Sequence, residues 1–175
     1  YVACDEAFNL SPTSVIAAPS GGITVAGGSH AQSRAFVARI HAGGDVGFVT
    51  YPGFVEASAP VFLASDIAEL PTSGFVMAAS MVELTGEGAA AIPSVGLVGL
   101  DASGRPAWMK RYAPGADRAS SFGALRLTTD GGAMVAALAA GDEGAGAVWT
   151  MKAYAKDGGF GRAPVATTAQ ANPPS

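Results

Sequence analysis

Three stretches of the chain share one order of turn residues and apolar residues. Each opens with a turn that ends in glycine and continues with small or apolar residues that carry no charge. The three are PSGGITVAG at 19–27, PTSGFVMAA at 71–79 and TDGGAMVAA at 129–137. Their turn-ending glycines, Gly22, Gly74 and Gly132, lie 52 and 58 residues apart. This recurrence predicts three copies of one structural unit.

The flanks of these turns recur in the same order. Short apolar segments precede them: SVIAA at 14–18, SDIAEL at 65–70 and FGALRL at 122–127. Longer segments with a central glycine turn follow: AFVARIHAGGDVGFVTYPG at 35–53, VGLVGLDASGRPAWMKRYAPG at 95–115 and VWTMKAYAKDGGFGRAPV at 148–165. The runs between turns have the length of strands rather than of helices. Each unit is therefore predicted to hold four short strands.

The stretch DGGAMVAALAAG at 130–141 is ambiguous when taken alone. Its Ala, Met and Leu residues are strong helix formers, and no proline interrupts them. Its equivalents in the other two units contain the β-branched residues Ile23, Val25 and Val76, which favour extended backbone. The repeat therefore predicts a strand here, and a helix over Ala133 to Leu138 would contradict the whole assignment.

Glycine is expected at the turns because it adopts positive φ without strain. Asp101, Asp130 and Asp157 precede such turns, where a carboxylate bonds nearby backbone N–H groups. The glycines predicted to serve as structural turn residues are Gly22, Gly44, Gly74, Gly104, Gly132 and Gly158.

Four strands in a unit of 50 to 60 residues are the signature of a β-propeller blade. The sequence thus predicts an all-β fold of about three four-stranded antiparallel blades. The predicted divisions are an N-terminal segment at 1–13, which could be a strand of a neighbouring blade, repeats at 14–64, 65–120 and 121–167, and a flexible tail at 168–175.

The repeat also resembles a known family. Its elements, taken in order, look like the SBBP-type, or seven-bladed, propeller repeats of bacterial secreted and surface proteins. They are a DGG turn, an apolar strand, a glycine-rich loop, a strand ending in LD, an SG turn and a W-x-K-x-Y-x-x-G stretch. VGLVGLDASGRPAWMKRYAPG and TTDGGAMVAALAAG carry the two halves of this motif. The resemblance spans roughly residues 14–165 and implies a secreted or cell-surface location.

Three blades are too few to close a ring, since propellers typically use 4 to 8. The sequence therefore predicts an incomplete propeller, or one completed by oligomerisation. The expected partners are other protein chains: a second copy of this chain, or the remainder of a longer one. Two copies would supply six blades.

Composition narrows the range of partners. With 10 Lys plus Arg and a net charge of −4, the chain has no basic stripe for nucleic acid. It has no apolar run long enough to predict a transmembrane segment. Cys4 is the sole cysteine in the sequence, so no internal disulfide is expected.

Candidate chemistry is sparse. His30 and His41 lack metal-ligand spacing, and no nucleophile elbow is present. Asp142 and Glu143, in the loop GDEGAG, are the candidate metal ligands, and calcium is the cofactor that they would suit. A solvated hairpin tip explains them better, and no other cofactor is predicted.

A non-catalytic structural or interaction module of a secreted or cell-surface bacterial protein is therefore the favoured function. No polar set recurs at the loop ends of the repeats, as a propeller enzyme would require. Two alternatives stay open: a subunit of a larger surface assembly or filament, with open blade edges capped by neighbouring chains, and part of a propeller enzyme whose active site lies outside this segment.

Overall fold

A computed structural model describes residues 10–18, 21–29, 34–52, 61–71, 74–83, 92–112, 120–129, 132–139, 147–154 and 165–168. Every regular element within these ranges is a β-strand. The strands are β1 (Leu10–Ala17), β2 (Ile23–Ser29), β3 (Arg34–Ile40), β4 (Val46–Thr50), β5 (Val61–Glu69), β6 (Phe75–Glu83), β7 (Ile92–Leu100), β8 (Pro106–Tyr112), β9 (Ser120–Leu127), β10 (Gly132–Ala139), β11 (Ala147–Tyr154) and β12 (Val165–Thr168).

The strands form three antiparallel sheets in chain order: sheet 1 is β1–β4, sheet 2 is β5–β8 and sheet 3 is β9–β12. The all-β, antiparallel prediction is confirmed. The ambiguous alanine-rich stretch is also extended, because β10 pairs with β9 on one side and with β11 on the other. The backbone hydrogen bonds of β10 are thus made across the sheet rather than along a helix.

The first strand of each sheet carries a bulge at an equivalent position. One extra residue interrupts the register at Thr13 in β1, at Ser65 in β5 and at Gly123 in β9. These residues are 52 and 58 positions apart, as are the turn glycines. A second pair of bulges leaves Gly47 in β4 and Ala107 in β8 unpaired. Since a bulge bends and twists its strand locally, the three sheets share their shape as well as their strand order.

The turns are equivalent too. The backbone N–H groups of Ala18, Leu70 and Thr128 each donate to the carbonyl four residues ahead, at 3.1, 2.8 and 2.8 Å. The β3–β4 and β7–β8 hairpins are closed by His41 N to Asp45 O at 2.8 Å and by Asp101 N to Arg105 O at 2.9 Å. Four of the predicted turn glycines have positive φ: Gly22 (84°), Gly44 (90°), Gly74 (136°) and Gly104 (80°). Gly132 begins β10, and Gly158 lies outside the described residues.

Two apolar cores lie between successive sheets. One joins Ala26, Ala35 and Val37 of sheet 1 to β5, β6 and β7 of sheet 2. The other joins β6 and β7 to Leu125, Ala133 and Val135 of sheet 3. We call the side of a sheet that meets the preceding sheet its front face, and the side that meets the following sheet its back face.

Sheet 2 is the middle layer, and successive residues of β6 alternate between its two faces. Phe75 and Met77 belong to the core shared with sheet 1, whereas Val76 and Ala78 belong to the core shared with sheet 3. A strand covered on both faces needs no polar side, which explains why FVMAASMV is apolar almost throughout.

The strand limits shift the predicted divisions by a few residues. Residues 10–13, assigned from sequence to an N-terminal segment, pair with β2 as part of β1. The second and third sheets begin at Val61 and Ser120, and Thr168, assigned to the tail, ends β12. Residues 1–9 and 169–175 lie outside the described part of the chain.

Candidate functional site

The first strands of the three sheets surround a hollow of about 510 Å³. Its walls are residues 14–17 of β1, 66–69 of β5 and 125–127 of β9. These segments occupy equivalent positions of the three repeats, immediately after the bulge in each first strand. The bulge therefore positions each wall of the hollow.

One carboxylate, that of Asp66, connects all three sheets at this hollow. Its Oδ1 accepts hydrogen bonds from Ser14 Oγ at 2.8 Å and from the Ile67 backbone N–H at 2.9 Å. Its Oδ2 accepts from the Leu125 backbone N–H at 3.2 Å and from Arg126 Nη1 at 3.3 Å. Both oxygens are thus engaged by protein donors, which suits Asp66 to holding the sheets together rather than to binding a metal or acting as a base.

A second hollow, of about 490 Å³, lies where the β3–β4 turn meets sheet 2. Arg39, 7% exposed, projects from the back face of sheet 1 into this region. Its Nη1 donates to Thr24 Oγ1 at 2.9 Å and pairs with Glu69 Oε2 at 3.4 Å, and its Nη2 donates to the Gly21 carbonyl at 3.2 Å. The guanidinium joins two sheets.

Aromatic rings pack beside this guanidinium. Phe48 and Phe75 meet edge to face, with ring centroids 5.9 Å apart and an interplanar angle of 66°. Phe48 also covers Gly104 of the β7–β8 turn, where a Cβ atom would collide with the ring. Phe48 therefore contributes to the packing between sheets 1 and 2.

The front face of sheet 1, which adjoins the first hollow at Val15 and Ala17, is apolar and open to solvent. Cross-strand pairing places two rows of side chains on this face, because directly opposed residues share a side of a sheet. The rows are Val15, Val25, Ala38 and Val49, then Ala17, Ile23, Ile40 and Val46. None of the eight residues is polar or charged.

Four of these apolar side chains are exposed to solvent. The relative exposures are 63% for Val15, 38% for Ile23, 54% for Val46 and 48% for Val49. Contiguous exposed apolar surface of this kind marks an interaction site in a soluble protein. The front face of sheet 1 is therefore the candidate functional surface.

The positions equivalent to Val15 and Ile23 are buried in sheets 2 and 3, whereas Pro106 and Met109, equivalent to Val46 and Val49 on the edge strand β8, are exposed and half-buried. Val15 corresponds to Ile67 and Leu125, each 2% exposed, and Ile23 corresponds to Phe75 at 4% and Ala133 at 0%. In those sheets a preceding sheet covers the front face. In sheet 1 no described residue of the chain does so.

The residues predicted as sites are divided between described and undescribed parts of the chain. Asp101 caps its turn as expected: its Oδ1 accepts from the Ser103 backbone N–H at 2.8 Å, from Ser103 Oγ at 2.6 Å and from the Arg105 backbone N–H at 2.9 Å. His41 is exposed in the β3–β4 turn. The remaining candidates lie outside the described residues: Cys4, His30, Asp130, Asp142, Glu143 and Asp157.

Metal binding finds no support among the side chains that the structure describes, since no three His, Cys, Asp or Glu groups gather there as a metal would need. A calcium site at Asp142 and Glu143 remains a prediction. The described residues likewise include no helix that is long and apolar enough to span a bilayer.

Sequence reasoning missed Asp66, Arg39 and the front face of sheet 1. A faint signal existed for the two charged residues, since Arg39 is the single charge in the apolar run AFVARI, and Asp66 shares the short strand SDIAEL with one other charge, Glu69. A charge in such a strand requires a buried partner. Nothing comparable marks the front face, whose residues resemble those of the covered strands.

The geometry defines an all-β protein of three stacked, four-stranded antiparallel sheets. No protein-family model matches the chain, and no curated protein shows significant similarity to it. The resemblance of its repeats to the bacterial propeller family therefore stays a prediction.

Proposed function

We propose that the chain is a non-catalytic interaction module of a secreted or cell-surface bacterial protein, and that its three sheets are successive blades of a β-propeller. The sequence resemblance supports the family and the location. The equivalent bulges, turns and sheet contacts support the common architecture of the blades.

The contacts between sheets are those expected of neighbouring blades. Strands β1, β2 and β3 contact β5, the first strand of the next sheet, and β5, β6 and β7 contact β9 in the same way. The first strands also line the shared hollow, as the innermost strands of a propeller line its central channel. This arrangement favours blades around an axis over a flat stack of sheets.

The open front face of sheet 1 is the observation that carries the interaction role. Val15 and Ile23 there are equivalent to residues that a neighbouring sheet buries in sheets 2 and 3, so this part of the face has the side chains of a contact between sheets. Binding is favoured over catalysis because the charged groups Asp66 and Arg39 are engaged in hydrogen bonds between sheets.

Position-specific photocrosslinking in the native host tests the proposed function. A photoreactive side chain is placed at Val49, on the front face of sheet 1, and at Ala107, an exposed residue of β8 that serves as the matched control. We expect protein adducts at position 49 that excess unlabelled chain competes away, and few at position 107.

Equal labelling at the two positions, or no adduct at either, would overturn the interaction role. A competitor carrying Ile23→Asp should compete poorly, because the substitution places a charge in the apolar face. Competition as strong as that of the unsubstituted chain would mean that the crosslink reports some other surface.

A further inference from the structure

We propose that the partner of the front face of sheet 1 is the back face of sheet 3 in a second copy of the chain, so that two copies close a ring of six sheets. This inference rests on the proposed interaction role and specifies its partner. It follows from the way the chain already joins its own sheets.

The chain uses a front-to-back contact twice. The front face of sheet 2 meets the back face of sheet 1, and the front face of sheet 3 meets the back face of sheet 2. The uncovered front face of sheet 1 is thus complementary to a back face of the same repeat. Among the described sheets, only sheet 3 has a back face that no other sheet covers.

The back face of sheet 3 carries the side chains that this contact needs. Ala136 corresponds to Ala26 and Ala78, which are both fully buried in the two internal contacts. Met134 corresponds to Thr24 and Val76, also fully buried, yet Met134 is 39% exposed. The residues at these positions are apolar except Thr24, whose hydroxyl accepts a hydrogen bond from Arg39.

Met134 of β10 pairs with Lys152 of β11 and with Arg126 of β9, so two charged residues flank it on the back face of sheet 3. Arg126 is held by partners within its own chain. Its side chain is 77% exposed, and its guanidinium is bound to Asp66 Oδ2 and, at 2.6 Å, to the Leu125 carbonyl. Because the charge is held toward the hollow by partners within its own chain, it does not have to be buried unpaired when the faces meet.

A front-to-back contact is heterologous, and such contacts build rings when the rotation closes. Two copies supply six sheets, within the range of propellers that close. A symmetric contact between two front faces would bury the apolar rows of sheet 1 but would leave Met134 and Ala136 uncovered. The second copy is therefore inferred to bind head to tail.

The test is the mass of the chain in solution, measured by light scattering and sedimentation between roughly 1 and 100 μM, the range in which specific interfaces of moderate strength form. We expect twice the mass of one chain. Ile23→Asp and Met134→Asp should each weaken dimerisation by about 100-fold, since each places a carboxylate in both contacts of the ring. Ala107→Asp, the matched exposed control, should leave the dimer unchanged.

Mixing the two disrupted variants gives a sharper result. Ile23→Asp retains an intact back face on sheet 3, and Met134→Asp retains an intact front face on sheet 1, so the mixture should form heterodimers through one unaltered contact. A dimer that Met134→Asp does not weaken would overturn the head-to-tail arrangement in favour of a front-to-front one.

Folding is checked by circular dichroism and by the urea midpoint, the latter at a concentration low enough for every variant to be monomeric, because dimerisation itself raises the midpoint. Both should match those of Ala107→Asp because all three positions are exposed. A monomeric wild-type chain at the highest concentration would overturn the second copy as partner. The proposed interaction role would survive that result if position 49 still crosslinks to a different protein, and would fail with it if no crosslink forms.

Discussion

Val15 and Ile67 occupy the same position in two successive repeats, yet Val15 is 63% exposed and Ile67 is 2% exposed. Both residues follow the bulge of a first strand by the same spacing, and both are β-branched and apolar. The difference in exposure arises because sheet 1 covers Ile67, while no described sheet covers Val15. Position within the stack, rather than local sequence, therefore decides which of these faces is open.

Asp66 is expected to contribute to stability by connecting the three sheets. Replacing it with alanine leaves the Leu125 amide, on a buried residue, and the Ser14 hydroxyl without their acceptor. We expect Asp66→Ala to lower the free energy of unfolding by about 1–3 kcal/mol, as measured by urea denaturation. Asp45→Ala, at an exposed turn carboxylate, should change it by less than about 0.5 kcal/mol. Similar losses for the two variants would show that Asp66 does not link the sheets.

Arg39 is expected to stabilise the contact between sheets 1 and 2. Arg39→Ala removes the donors that serve Thr24, Glu69 and the Gly21 carbonyl, so we expect a loss of about 2–4 kcal/mol. The free energy of unfolding of Arg39→Lys should lie between those of the wild type and Arg39→Ala, because an ammonium group cannot replace the forked guanidinium. The exposed Arg34→Ala, on the same strand, serves as the control. A lysine variant as stable as the wild type would show that the aliphatic stem and the charge, not the forked hydrogen bonds, explain the loss.

Gly99 lies beneath the Trp108 ring on the back face of sheet 2, and a Cβ atom at this position would collide with the indole. We expect Gly99→Ala to lower the free energy of unfolding by about 1–3 kcal/mol through overpacking. Gly43→Ala should be close to neutral, since its Cβ would meet only the Asp45 side chain, at 3.3 Å.

A double variant tests whether the Trp108 ring causes the loss of stability in Gly99→Ala. Trp108→Leu removes the ring, so Gly99→Ala should destabilise the Trp108→Leu background less than it destabilises the wild type. If the stability losses of the two single variants add up to that of the double variant, the strain caused by Gly99→Ala lies elsewhere in the strand.

Asp101 is expected to make the β7–β8 turn sensitive to acid. The Ser103 hydroxyl, followed by the Arg105 backbone amide, holds the pKa of Asp101 below its ordinary value. A lowered pKa in the folded state means that the ionised form stabilises the fold above the unfolded-state pKa, and that this contribution is lost as the pH falls through the folded-state pKa. The stability difference between wild type and Asp101→Asn should therefore be largest near neutral pH and shrink below about pH 4.

Ser103→Ala provides the control for this pH dependence. Without the hydroxyl donor, the pKa of Asp101 should rise toward its ordinary value, and the acid-dependent part of the stability should become smaller. Urea midpoints measured from roughly pH 2 to pH 7 cover the titration of an aspartate. An unchanged pH profile in Ser103→Ala would assign the effect to another carboxylate.

Much of the fold could be predicted because the same sequence pattern occurs three times in the chain. The extended conformation of Ala133–Leu138 is an example: intrinsic propensity favours a helix there, and comparison with Ile23 and Val76 corrects it. The stacking of the sheets could not be predicted in this way. It depends on contacts between residues more than 50 positions apart, such as those of Asp66 with Ser14 and Arg126, and no local spacing encodes them.

Sheet 2 has a front face that fits the back face of sheet 1 and a back face that fits the front face of sheet 3. A gene duplication that copies one whole repeat would therefore insert a sheet that fits on both sides, and no new interface would have to evolve. A deletion of one whole repeat would likewise rejoin compatible faces. The molecule can lengthen or shorten over evolutionary time in steps of one sheet, whereas the gain or loss of a part of a sheet would disrupt it.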